Sequence, residues 1–241
     1  MKNFFFNYYF YKEIINTNDK IKKINLNENP KKSNLALFSE KQSKGRGRGS
    51  NVWISSKGDL TSSFLLNRKF NVTELGQINL SIVFIVLKIL RNIYKNVDFK
   101  FKWPNDIFVN GKKIAGILIE TNVVKNSILF IIIGIGINFI SSPKLKYPAT
   151  SISKFSSILD PLSFFFKLSE EMAKMLSDFN KIDFIKLSQI VSRSIFSSNG
   201  IVKIRQNRKI FIGEFVKIDE LGTIIIEDFN GIKKLSYGEM L

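Results

Sequence analysis

Residues 99–120 read FKFKWPNDIFVNGKKIAGILIE. In FKFKW, bulky apolar and cationic side chains alternate, which is the period of a half-buried strand. Asn110-Gly111 is the dipeptide that best tolerates the two left-handed residues of a tight hairpin. KKIAGILIE then reads as the returning strand. A further buried strand, SILFIIIGIGI at 127–137, follows without a helix between. A sheet built this way, with few crossing helices, is of mixed α+β type rather than a doubly wound parallel one.

Upstream, residues 73–94 carry Leu75, Ile78, Ile82, Ile85, Ile89 and Ile93 at helical spacing and are the best-marked helix of the chain. LTSSFLL at 60–66 and LALFSEKQ at 35–42 read as strands, the second running into the basic loop KGRGRGSNVW at 44–53. Residues 9–15 predict a strand, and NTNDKIKKI at 16–24 a helix start whose Asn or Thr can hold the first free amides. Downstream, residues 162–179 and 182–196 predict two more helices. After Ser197-Ser198-Asn199-Gly200 the runs IVKIR, KIFIGEFVKID, GTIIIED and IKKLSYGEM alternate between turn residues, the texture of a small antiparallel barrel. The expected division is 1–198 and 199–241.

The chain has 241 residues, 44% hydrophobic and 24% charged, which suits a folded protein with a real core. It contains neither cysteine nor histidine. Disulfides, thiolate nucleophiles, zinc sites of the usual N/S type and Ser/His/Asp triads are therefore excluded together. Chemistry falls to Lys, Arg, carboxylates, amides, hydroxyls or a cation held by oxygen. The net charge of +17, from 37 Lys and Arg against 20 Asp and Glu, fits a nucleic acid, an anionic lipid surface or an acidic protein. The lysines are scattered among Asn, Ile and Phe with no long single-sign block, for which compositional drift is the simpler explanation. INLSIVFIVL at 78–87 is stopped by Lys88, and the run at 127–140 holds two glycines and falls short of the roughly 20 apolar residues of a span. The opening MKNFFFNYYFYKEI lacks the clean apolar run and cleavage site of a leader, so a cytoplasmic protein is expected.

Four short stretches can carry chemistry. In the basic loop, glycines let backbone amides approach a ligand, while Arg46 and Arg48 offer forks for phosphate or carboxylate oxygens. It matches neither a P-loop nor GxGxxG; a nucleotide, a nucleic acid and a solvated turn all remain open. KWPND at 102–106 presents Asn105 and Asp106, whose oxygens suit a hydrated Mg²⁺ or a plain turn beside a packed tryptophan. In GKKIAGILIE at 111–120, Lys112 and Lys113 must point to opposite faces, and Ala115-Gly116 leaves room for a ligand. Lys113 could equally be an edge-strand gatekeeper. GIGIN at 134–138 loses side chains at alternate positions and ends in Asn138, which clears space on one face or tightens helix packing.

In this order and spacing, GRGR with a nearby Trp, KWPND, GKKIAGILIE and GIGIN resemble the biotin protein ligases, also called biotin–[acetyl-CoA-carboxylase] ligases. The resemblance implies a catalytic domain of the class II aminoacyl-tRNA-synthetase and biotin-ligase type with a mixed β-sheet, and a C-terminal SH3-like barrel. It implies that biotin and MgATP give biotinyl-5′-AMP, and that the biotinyl group then passes to a lysine of a biotin carboxyl carrier protein or domain of acetyl-CoA carboxylase. Asn16, Thr17 and Asn18 match the biotin-contacting segment, usually Ser-Thr-Asn, and Gln42 the biotin-binding glutamine. Arg46, Gly47 and Arg48 match the loop that orders over biotin and adenylate. Lys113 matches the lysine that contacts the biotin carboxyl and the α-phosphate, so Lys113, Arg48 and Arg46 are the expected catalytic residues. Gly116 matches a biotin-pocket glycine. Trp53 and Asn138 fall on the nucleotide side, and Asn105 with Asp106 on the phosphate or Mg²⁺.

Two departures stand out: Asn16 where Ser is usual, and Ser50 at the second glycine of GRGRxGxxW. The chain starts at the catalytic domain, with no room before Tyr9 for the winged helix-turn-helix of some members, so ligase without repressor function is expected. No specific DNA binding and no membrane partner are expected, and the basic surface suits an acidic acceptor domain. The sheet edge near 112–120 or the barrel could pair two copies, with nothing choosing between monomer and dimer. The alternatives are a lipoate protein ligase, a basic nucleic-acid-binding protein and a ligase that keeps the fold without turnover.

Overall fold

A computed structural model describes residues 6–125, 127–143 and 147–241. The start of the supposed non-leader, residues 1–5, lies outside the described residues. In chain order the elements are β1 (Phe6–Tyr11), α1 (Thr17–Asn27), β2 (Asn34–Ser39), β3 (Gly45–Arg46), β4 (Val52–Trp53), β5 (Leu60–Leu66) and β6 (Phe70–Asn71). Then come α2 (Leu75–Ile93), β7 (Lys100–Lys102), β8 (Asp106–Val109), β9 (Lys112–Val124), β10 (Ser127–Ile137), α3 (Pro161–Asp178) and α4 (Phe184–Ser192). Strands β11 (Ile201–Gln206), β12 (Lys209–Ile218), β13 (Ile224–Asp228), β14 (Gly231–Leu235) and β15 (Glu239–Met240) end the chain. It is the mixed α+β architecture expected from the sequence.

The chain forms two compact units, residues 1–72 with 112–179, and residues 73–111 with 180–241. In the first, strands lie in the order β1-β2-β5-β10-β9, with β1 parallel to β2 and the other neighbours antiparallel. β5 is buried along its whole length, because helices cover both faces. Leu65 joins Ile21 and Ile24 of α1, Leu35, Leu37 and Ile132 in one cluster. Phe64, its neighbour on the opposite face, stacks on Phe165 of α3 at 5.3 Å. Ile21 and Ile24 are fully buried, which for each contributes about 1.5–3 kcal/mol. Strand β1 starts and ends earlier than the sequence suggests. Residues 12–15 leave the sheet, and Ile14 bridges to Gln42, which delivers Asn16 to the start of α1.

The second unit holds α2, α4, the β7–β8 hairpin and a five-stranded antiparallel sheet in the order β14-β13-β12-β11-β15. The C-terminal strands thus share a unit with elements from before residue 198. By length and composition Val72–Ile93, with mean hydropathy 1.6, could cross a membrane; within this unit α2 packs on α4, and α4 on β12. Asn110 and Gly111 have φ of 49° and 70°, the pair of left-handed residues that Asn-Gly accommodates. Trp103 is buried, and its indole N–H donates to the carbonyl of Gly222 at 3.0 Å. The amide of Asn79 donates to the Pro104 carbonyl at 2.8 Å, fixing the KWPND turn from the side of α2.

Candidate active site

The face of β10 that carries α1 is where Ile132, Gly134 and Gly136 point in turn. Each glycine is matched by a particular side chain. A Cβ on Gly134 would stand 2.7 Å from Oδ1 of Asn18, and one on Gly136 would stand 2.6 Å from Nε1 of Trp53. Gly116 pairs with Gly136 across the ladder, and a Cβ there would lie 3.1 Å from the Trp53 ring and 3.3 Å from Nζ of Lys113. The bare backbone of the three glycines therefore makes one trough, which Asn18, Trp53 and Lys113 occupy with their side chains. Lys112 is exposed, whereas Lys113 is half-buried over the trough, with Nζ 5.6 Å from the Trp53 ring centroid and 5.1 Å from that of Tyr147. The backbone of Lys113 is pinned on both sides: its N–H donates to the Pro148 carbonyl, and its carbonyl accepts from Thr150, each at 2.9 Å.

The N-terminus of α1 forms the next wall. Oδ1 of Asn16 accepts from the Asp19 amide at 3.1 Å as the N-cap, while its Nδ2 donates to the Lys44 carbonyl at 3.1 Å. Asn16 thus performs a cap that Ser could perform and a second link that Ser, lacking the amide nitrogen, could not. Oε1 of Gln42 accepts from the amide and hydroxyl of Thr17, at 3.2 and 3.4 Å. Asn18 receives the Ser63 hydroxyl at 2.5 Å and gives its Nδ2 to Glu120 at 2.6 Å.

The basic loop is a hairpin, not the open loop its composition suggests. Gly45 pairs with Trp53 and Arg46 with Val52. The Gly47 amide donates to the Asn51 carbonyl at 2.7 Å, and the left-handed residue of the tip is Gly49, φ 60°. The turn therefore uses Gly49, so Ser50 stands in the tip without needing glycine's freedom. Arg46 is held by two carboxylates: its Nη1 donates to Asp19 at 2.6 Å and its Nη2 to Glu120 at 3.1 Å. The hydrogen bond to Asp19 raises the Arg46 pKa above its already high value, opposed by burial and aided by the charge of Glu120.

Asn138 follows β10. Its Nδ2 donates to the Thr150 carbonyl at 3.1 Å. Among the described residues, Trp53 Nε1, Ser55 Oγ and Asn138 Oδ1 are buried polar atoms with no hydrogen-bond partner, an arrangement that folded proteins reserve for a reason. The segment after Asn138 is fixed by Asp59, a buried carboxylate that accepts the amides of Ser56, Ile140 and Ser141 at 2.9, 2.9 and 3.0 Å, and the Ser141 hydroxyl.

The structure thus brings together Asn16, Thr17, Asn18, Gln42, Arg46, Trp53, Lys113 and Gly116, with Asn138 joined to the Lys113 strand through Ile114 and Thr150; Gly47 and Arg48 lie in the hairpin tip of the same unit, and Asn105 and Asp106 belong to the second unit. Asp19, Ser63, Glu120, Asp59 and Tyr147 are contributions that sequence reasoning missed. For Glu120 a signal existed: it lies two pleats beyond Gly116, on the same face of β9.

The family model of the biotin/lipoate A/B protein ligases matches residues 11–138. The chain is 28% identical over 232 residues to the bifunctional ligase/repressor BirA of Bacillus subtilis, covering 93% of this chain and 71% of that protein. It is 38% identical over 109 residues to biotin–protein ligase 2 of Arabidopsis thaliana, across 42% of this chain and 31% of the relative. Among solved structures, the biotin protein ligase from Aquifex aeolicus in complex with biotin and ATP superposes with a TM-score of 0.80 at 28% identity, covering 98% of each chain. With the family model spanning more than half of its 241 residues, the chain belongs to the biotin/lipoate A/B protein ligase family.

Proposed function

We propose that this chain is a biotin protein ligase: it forms biotinyl-5′-AMP from biotin and ATP, then passes the biotinyl group to one lysine of a carrier domain of a biotin-dependent carboxylase such as acetyl-CoA carboxylase. The observation that carries the reading is the trough of Gly134, Gly136 and Gly116, with Lys113 at one end and the polar wall of α1 and Gln42 beside it. An acid with a compact polar head suits such a site. The match to proteins named as biotin ligases supports the same reading.

In the first step a biotin carboxylate oxygen bonds to the α-phosphorus, and the bond to pyrophosphate breaks. In the second, the acceptor amine bonds to the acyl carbon, AMP leaves, and the amine loses a proton. Neither step needs His or Cys. What both need is alignment of two anions and neutralisation of their charge. Lys113 is the cation for the carboxylate and α-phosphate, held on a strand whose backbone is pinned on both sides. Asn16, Thr17, Asn18 and Gln42 supply donors and acceptors to the head of biotin. Arg46, Gly47 and Arg48 close over the adenylate, and Trp53 with Asn138 offers its orphaned polar atoms toward the nucleotide. Among the described residues no three Asp, Glu, His or Cys side chains gather to hold a metal. Magnesium bound mainly by ATP phosphates, with one or two protein oxygens, fits that donor set.

The test is incubation of the purified protein with MgATP and a biotin-acceptor domain, with biotin or lipoate in separate arms. Biotin-dependent pyrophosphate and a biotinylated acceptor are expected. Pyrophosphate release that depends on lipoate instead would turn the reading to a lipoate ligase, and release with neither acid would overturn it.

A further inference from the structure

Hairpin β3–β4 has only two residue pairs, and two-stranded hairpins of that size do not hold themselves in water. Something outside the ladder must set where its tip lies. Its base is held by the Lys44 amide on the Ile15 carbonyl at 2.8 Å and by Nδ2 of Asn16 on the Lys44 carbonyl, its end by the buried Trp53 against Gly136, and its middle by the guanidinium of Arg46. Both Arg46 contacts end on carboxylates that the reaction described above does not use. One of these, Glu120, has a second task. Its Oε1 takes Arg46 at 3.1 Å, while its Oε2 takes Nδ2 of Asn18 at 2.6 Å.

Asn18 is buried, and its Oδ1 is committed to the Ser63 hydroxyl, so the amide can face Glu120 in one orientation only. Arg46 is paired with Val52, the residue before Trp53. We propose that Glu120 is a positioning residue, whose two carboxylate oxygens lock the basic hairpin and the α1 N-terminus to one point on β9 and so set Arg48 and Trp53 over the trough. This deepens, and rests on, the biotin-ligase reading. On this account Arg46 also anchors the hairpin that closes over the adenylate, and Arg48 lies nearer its tip.

The side chains of Arg46, Asp19 and Glu120 are each more than a third exposed, so the link is a modest one. It acts on ligand retention and leaves the bond-making step alone. Glu120→Gln is nearly isosteric, but an amide whose oxygen stays on Asn18 presents its own N–H groups to Arg46.

The experiment compares wild type, Glu120→Gln, Arg46→Gln and the double variant by two readouts. Tryptic nicking at the Arg48–Gly49 bond, without substrate, is expected to speed up about fivefold in each single variant at unchanged urea midpoint. In Glu120→Gln, release of biotin adenylate and the KM for biotin are expected to rise about fivefold while kcat stays within about twofold. In the double variant the effects should not multiply, because both substitutions break one link. Should Glu120→Gln fail to fold, Arg46→Lys keeps the charge, loses the fork and is expected to nick about as fast. Nicking needs no substrate, so a wild type that made no biotin adenylate would overturn the ligase reading and leave the lock to be judged by nicking. Wild-type nicking in the single variants with wild-type retention in Glu120→Gln, or multiplying effects in the double, would overturn the lock.

Discussion

The indole of Trp53 rests against the backbone of Gly136, with Nε1 2.6 Å from where a Cβ on that glycine would stand. No side-chain carbon fits at that separation. Gly136→Ala is therefore expected to push the indole out of the trough, costing about 1–3 kcal/mol by overpacking. Trp53 is one of only two tryptophans, so a red shift in emission together with a lower urea midpoint checks this. An unshifted spectrum at full stability would show that the trough is wider than described.

Asn16 separates two roles that one substitution usually merges. Asn16→Ala removes both the cap and the link to Lys44, with an expected cost of about 1–2 kcal/mol. Asn16→Ser retains the cap and loses only the link, so its unfolding midpoint should stay close to wild type while nicking within residues 44–53 accelerates. Equal destabilisation by Ser and Ala in urea melts would remove the cap from the account.

Asp59 is buried among four donors, three of them backbone amides. Asp59→Ala leaves all four without their acceptor, and a loss of about 3 kcal/mol or more is expected in chemical denaturation. A change below about 1 kcal/mol would mean that solvent reaches these groups.

Lys113 and Arg48 should fail in different ways. Lys113→Ala removes the cation proposed to meet the reacting carboxylate, and adenylate formation should drop by about 10²-fold or more. Arg48→Gly should still form the adenylate but release it faster, measured by trapping released adenylate in a rapid-filtration assay. Release at the wild-type rate would deny Arg48 its closing role.

How much of this is legible without coordinates depends on the range of each interaction. Strands β5 and β10 coincide with the runs read at 60–66 and 127–137, because both are short, apolar and bounded by turn residues. The cap at Asn16 and the turn at Asn110-Gly111 are equally local, and both sit where residue type places them. The trough is half legible: alternate glycines announce a cleared face, but not that Asn18 and Trp53 line it. Arg46 is the opposite case. Its composition suggests a ligand clamp, and the acid groups it meets lie 27 residues before it and 74 after it, a distance over which no local pattern speaks. The hairpin itself is hidden for a related reason, since two residue pairs leave no alternation to detect.

The central claim is that the trough activates biotin with ATP. Exchange of labelled pyrophosphate into ATP, with and without biotin and with no acceptor present, tests it most directly, because it isolates the first step. The account predicts exchange that requires biotin, is not supported by lipoate, and falls by about 10²-fold or more in Lys113→Ala. Exchange that ignores biotin, or survives unchanged in Lys113→Ala, would contradict it.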